Sequence, residues 1–192
     1  SDDVALMAPE NLAYTAKKHL ELTHSRKFGD PAAISITTPT KENGGWDSGR
    51  TFIDIVNDDM AFLVDSVVAE IIHHNFQIQV FIHPILHVTH EKGGKVGDIF
   101  SKTKKDVTAG QSHIHAELHR IISKEECEQL KESLAKILMD TKYANRDWQA
   151  MRTKLRDAKK ELENTPSKYN ATIVKEYQEF LEYMYDNNFT LL

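Results

Sequence analysis

The sequence predicts an α+β two-layer sandwich in strand, strand, helix, strand, strand, helix order, with a helix before it and a helical hairpin after it. Three observations carry this. Residues 33–37, 51–56, 77–89 and 112–119 alternate in polarity or run apolar as strands do. Met60, Leu63, Val64, Val67, Val68, Ile71 and Ile72 recur at helical spacing, as do Cys127, Leu130, Leu134, Ile137 and Leu138. Two helices among four strands fit most economically on one face of a single mixed or antiparallel sheet. The other face is then partly polar and must meet water, a second copy or the rest of a longer protein.

Taken in order, 9–27 is helical, with Leu12, Ala16 and Leu20 on one side and Lys17, Lys18 and Glu21 on the other. Gly29 and Pro31 stop it. The short strand 33–37 leads to a loop holding Gly44, Gly45 and Trp46, whose large ring is expected to fold back onto the sheet. Strand 51–56 runs into an acidic turn and a helix at 59–74. Strand 77–89 continues past Pro84, which lacks a ladder donor and so marks a bulge, an edge or a bend. Residues 91–111 have no clear period and read as a long loop. On 112–119, Ile114, Ala116 and Leu118 face the core and His113, His115, Glu117 and His119 face away. Ser123 and Glu126 have the spacing of a capping box. Helices at 147–163 and around 173–184, separated by Thr165-Pro166-Ser167, make an antiparallel hairpin. The domain reading is a helix over 1–30, a sandwich over 31–142 and a hairpin over 143–192 that leads into a further domain.

Of 192 residues, 40% are hydrophobic and 28% charged, the balance of an ordinary globular chain. A net charge of −5 with mixed signs argues against nucleic acid as a partner. Cys127 is the single cysteine, so no internal disulfide forms; a reducing, cytoplasmic setting is expected. No apolar run approaches the roughly 20 residues of a membrane span.

The turn Asn57-Asp58-Asp59-Met60 is the leading candidate site. Asp58 and Asp59 can cap the following helix, where the dipole favours negative charge by about 1 kcal/mol each. Alternatively, backbone N–H groups of Asp59 and Met60 hold the carboxylate of a small ligand, and Asp58 or Asn57 takes its ammonium. Ten histidines raise a second idea, since His113, His115 and His119 are expected to project together from one strand face with His83 adjacent, and imidazole suits zinc. The other reading is the solvent side of an alternating strand. Cys127 sits in an apolar stripe and reads as a core residue. Phosphate loop, serine elbow and dinucleotide fingerprint are absent from the sequence.

The run TFIDIVNDDMAFLVDS, Thr51 to Ser66, closely resembles the IVNDDMPFLVDSV signature near the N-terminus of the large bacterial NAD-dependent glutamate dehydrogenases. The resemblance continues through Ile82-His83-Pro84-Ile85-Leu86, Ser112-His113-Ile114-His115, Asp147-Trp148-Gln149-Ala150-Met151 and Asp186-Asn187-Asn188-Phe189-Thr190. It implies an N-terminal piece of a much longer chain, with an ACT-like, ferredoxin-like sandwich and no catalytic residues of its own. It further implies a parent enzyme that uses NAD to oxidise L-glutamate to 2-oxoglutarate and ammonia. ACT-like domains commonly bind amino acids at the turn after the first strand or across subunit interfaces, so an amino acid effector and a homo-oligomer are the implied partners. A ligand-free scaffold for subunit assembly is the alternative, and a zinc-dependent hydrolase on the histidine face a third.

Overall fold

The computed structural model describes residues 8–90, 96–100, 110–164 and 170–188. The chain divides into two compact units, Ser1–Thr141 and Lys142–Leu192.

The first unit is built on an antiparallel sheet of six strands: β1 (Ala33–Thr37), β2 (Phe52–Asp58), β3 (Ile78–Ile82), β4 (Ile85–His90), β5 (Val96–Phe100) and β6 (Gly110–Leu118). Its order is β1-β2-β6-β4-β5, with β3 also beside β6. β3 pairs with residues 115–118 of β6 and β4 with residues 110–112. The long strand expected over 77–89 is thus two strands lying end to end along β6. Pro84 marks the break, and its carbonyl still accepts the His113 N–H at 3.0 Å. The long loop expected over 91–111 contains β5, which a glycine and an aspartate in a five-residue strand had disguised. The rest of that loop, 91–95 and 101–109, lies outside the described residues.

One face of the sheet carries Ile34, Ile53, Ile55, Ile114, Ala116 and Leu118, packed against α2 (Leu63–His73) through Leu63, Val67 and Ile71 and against α3 (Lys124–Arg146) through Leu130, Leu134 and Leu138. This is the predicted sandwich core. α3 begins with the predicted capping box: Ser123 donates its N–H to Glu126 at 2.7 Å, and Glu126 returns its N–H to the Ser123 hydroxyl at 3.1 Å. Cys127 packs against the core, and burial beside Glu126 and Glu128 pushes its thiol pKa up.

The sheet's other face does not meet water along β2 and β6. The N-terminal helix α1 (Pro9–Ser25) lies over it and makes a third layer. Tyr14 packs edge-on against Phe52 and Trp46, with ring centroids 6.2 and 5.3 Å apart, and bonds Thr37 through its hydroxyl. Trp46 therefore does fold back onto the sheet.

α2 starts at Leu63, four residues later than its apolar spacing suggests. Phe62 precedes it in the left-handed region, φ 63°, with no side-chain cap. Asp58 and Asp59 do not cap this helix, because their carboxylates are engaged elsewhere. In the second unit, α4 (Trp148–Glu163) and α5 (Ala171–Tyr183) run antiparallel, joined by a Lys159–Glu182 ion pair and by Arg152 stacked on Tyr185. The turn predicted at 165–167 lies outside the described residues.

Candidate functional site

The acidic turn is stapled to the protein's own groups. Arg26, just past α1, donates through Nη2 to Asp58 Oδ1 at 2.8 Å. Gly29 adopts φ 89°, a conformation that favours glycine, and donates its N–H to Asp58 Oδ2 at 2.8 Å. The Asp59 N–H is already given to the Gly110 carbonyl at 2.9 Å, and the Asp59 carboxylate accepts from the Ser112 hydroxyl at 2.7 Å. Gly110 is needed there, since a Cβ would come within 2.9 Å of Ile85. Asn57 is buried opposite Ser112 on the sheet, and Met60 packs on the core. All four residues of the turn are therefore close together, but the Asp59 N–H reserved for a ligand carboxylate is spent on the fold.

A second constellation lies under α1. Strand alternation aims Asp54 of β2 and His113, His115 and Glu117 of β6 at the helix, with Asp54 directly opposite His115 across the ladder. From α1, His19 descends onto them. Its Nε2 is 3.2 Å from Asp54 Oδ1, and His115 Nδ1 is 2.7 Å from the same oxygen. His19 Nδ1 lies 3.3 Å from His113 Nδ1, and His115 Nε2 lies 3.7 Å from Glu117 Oε1. Arg50 closes the line by donating to Glu117 Oε2 at 2.9 Å. Asp54 is 0% exposed and His115 2%.

These contacts set the charges. Burial opposes ionisation of Asp54, yet hydrogen bonds from His115 and His19 outweigh it and hold the carboxyl below its usual pKa. Burial likewise opposes charge on His115, but Asp54 and Glu117 push its pKa up to about 9. His113 has no such carboxylate; burial, with His19 and Arg26 nearby, takes it down to about 4. One strand face thus carries a charged and a neutral imidazole two residues apart. Beside them runs a cavity of about 420 Å³, walled by Leu12, Leu20, Ile82 and Leu86, with His19, His113 and His115 among its lining.

The expected zinc trio is not assembled. His119 is at the exposed end of the strand, 3.3 Å from Gln79, and His113 faces His19. Only His115 of the three belongs to the cluster with Asp54 and His19. Neither of those two stood out in the sequence. The signals were an aspartate inside an otherwise apolar strand and a histidine one residue from Leu20 on the inner side of α1.

The family model of the glutamate dehydrogenase ACT1 domain matches residues 1–134. The chain belongs to this family. The match takes in α1, the sheet, α2 and the first half of α3, so the ACT1 region includes both the acidic turn and the buried cluster. Among curated proteins, the chain is 31% identical over 177 residues to the NAD-specific glutamate dehydrogenase of Halomonas elongata, covering 90% of this chain and 11% of that protein. It is 28% identical over 165 residues to the NAD-specific glutamate dehydrogenase of Pseudomonas aeruginosa, covering 85% of this chain and 10% of that protein. The chain spans about a tenth of the length of these relatives. Among the described residues, no helix is long and apolar enough to cross a membrane.

Proposed function

We propose that this chain is a non-catalytic regulatory segment of a large, cytoplasmic NAD-dependent glutamate dehydrogenase. The parent would convert L-glutamate, NAD and water to 2-oxoglutarate, ammonia and NADH with residues outside these 192. The observation that carries the proposal is the ACT1 match over residues 1–134, together with the antiparallel sheet and its two-helix core.

In this reading the segment senses an amino acid at the turn Asn57–Met60. Because the Asp59 N–H is bonded to Gly110, the carboxylate of the effector would be held by Arg26 instead. Asp58, whose side chain is 16% exposed, would take its ammonium. What supports this is the Arg26–Asp58 pair, a cation and an anion 2.8 Å apart and the complement of a zwitterion, with the Arg26 side chain buried behind Asp58. Arg26 Nη1 is also buried without a hydrogen-bond partner. Inserting the effector would loosen the Asp58 tether to Arg26 and Gly29, and a coupling of about 1–3 kcal/mol to the rest of the enzyme is typical of such devices.

A ligand-free assembly scaffold is favoured by a different observation. Ile173, Tyr177 and Phe180 of α5 are 47–58% exposed at helical spacing, a surface that a second subunit would cover.

Thermal unfolding of the chain against the twenty amino acids, 2-oxoglutarate and NAD separates the two. A selective effector at a hundredfold excess over its dissociation constant should raise the midpoint by about 5–10 °C. Asp58→Asn should remove that shift while the protein stays folded. A flat panel, with light scattering showing a stable oligomer, would replace sensing by scaffolding.

A further inference from the structure

We propose that His19, Asp54 and His115 form a binding site for a single divalent cation of the zinc type. The three residues come from three separate elements and offer one ligand atom each, all within 4.8 Å of one another; His19 Nε2 and His115 Nδ1 both approach Asp54 Oδ1. Tetrahedral zinc with bonds of about 2.0–2.1 Å to nitrogen sets neighbouring ligand atoms about 3.3 Å apart. The observed separations from Asp54 Oδ1, 3.2 and 2.7 Å, need only a small opening to reach it.

The surroundings suit the same reading. A liganding histidine ordinarily gives its second ring N–H to an acceptor, which fixes tautomer and orientation. Both second nitrogens have a partner within reach here. His115 Nε2 faces Glu117 Oε1 at 3.7 Å, and Glu117 is in turn held by Arg50. His19 Nδ1 faces His113 Nδ1 at 3.3 Å, close enough for a hydrogen bond between the two rings. Buried polar atoms without partners call for an explanation. Asp54 Oδ2 is one, on a side chain that is 0% exposed.

Two imidazoles and one carboxylate leave a coordination position open, the pattern of exchangeable zinc sites. His19 and His115 both line the 420 Å³ cavity, so water or the carboxylate of an apolar molecule has room to fill that position. The site would also tie α1 to the sheet, since His19 is the ligand that the helix contributes. It is independent of the effector reading, which concerns Arg26 and Asp58.

The test is uptake of Zn2+ by the 192-residue chain after chelator treatment, followed by calorimetry and elemental analysis. One Zn2+ per chain is expected, with a raised unfolding midpoint. His19→Ala should weaken binding by about tenfold or more, whereas His119→Ala should leave it unchanged. No uptake, or equal uptake by His19→Ala, overturns the proposal, because surface histidines would then account for any metal bound. Should His19→Ala fail to fold, Co2+ on the unaltered chain decides. Intense visible absorption of a tetrahedral complex supports the site, and the weak spectrum of octahedral, water-ligated Co2+ overturns it.

Discussion

Adjacent residues of β2 and β6 face opposite layers of one unit. Ile53, Ile55, Ile114 and Ala116 meet α2 and α3, while Asp54, His113, His115 and Glu117 meet α1, and all eight are buried. On the apolar face stability comes from area removed from water, about 1.5–3 kcal/mol for each fully buried large aliphatic side chain. That face tolerates any partner of suitable shape. On the polar face desolvation roughly cancels attraction, so the network contributes little net stability but a strong penalty for mispairing. Removing one member should therefore cost more on the polar face than a comparable truncation on the other.

The sharpest way to break this contrast is Asp54→Ala, which leaves His115 and His19 facing each other without their carboxylate. It should destabilise the chain by about 4 kcal/mol in denaturant unfolding. Leu134→Ala, on the apolar side, should cost about 3 kcal/mol. If Leu134→Ala proves the more damaging by a wide margin, the polar network is not organising its face.

pH tests the same network without mutation. His115 is protonated in the folded protein with a pKa of about 9, above its unfolded value near 6.5. Its contribution is complete below pH 6.5 and is lost as pH rises through 9, so metal-free protein should lose about 2.5 kcal/mol over that range. His113 acts in the opposite sense. Its folded pKa of about 4 lies below the unfolded value, so stability should fall as pH drops from 6.5 toward 4. A stability maximum near pH 6.5 is the expected outcome of chelated unfolding experiments; a flat profile from 6.5 to 9 would remove His115 from the network. The smallest effect is expected from Arg50→Ala. It strips the partly exposed partner of Glu117 and should cost about 1 kcal/mol.

Much of the first unit was legible in the sequence because its signals are local. The period-two pattern of residues 112–119 identified both faces of β6, and Ser123 with Glu126 identified the start of α3 through bonds made within four residues. What failed to show depended on contacts distant in the chain. Alternation says which side chains share a face, not whether that face is wet, so His113 and His115 read as solvent-facing until α1 was placed over them. The start of α2 was misplaced because Asp58 and Asp59 look like caps, yet they bond to Arg26, Gly29 and Ser112, 53 residues away in the last case. His19 had no sequence signal of its own. Its role appears only when a helix 35 residues from Asp54 along the chain, counted from His19, is laid across the sheet.

The most direct measurement is an NMR titration of the His115 imidazole in chelated protein, with the assignment fixed by His115→Gln. A charged ring at neutral pH that titrates near 9, falling toward 6.5 in Asp54→Asn, is the predicted result. A His115 that titrates near 6.5 in the unaltered chain would contradict the buried charge network and with it the account of how α1 is held to the sheet.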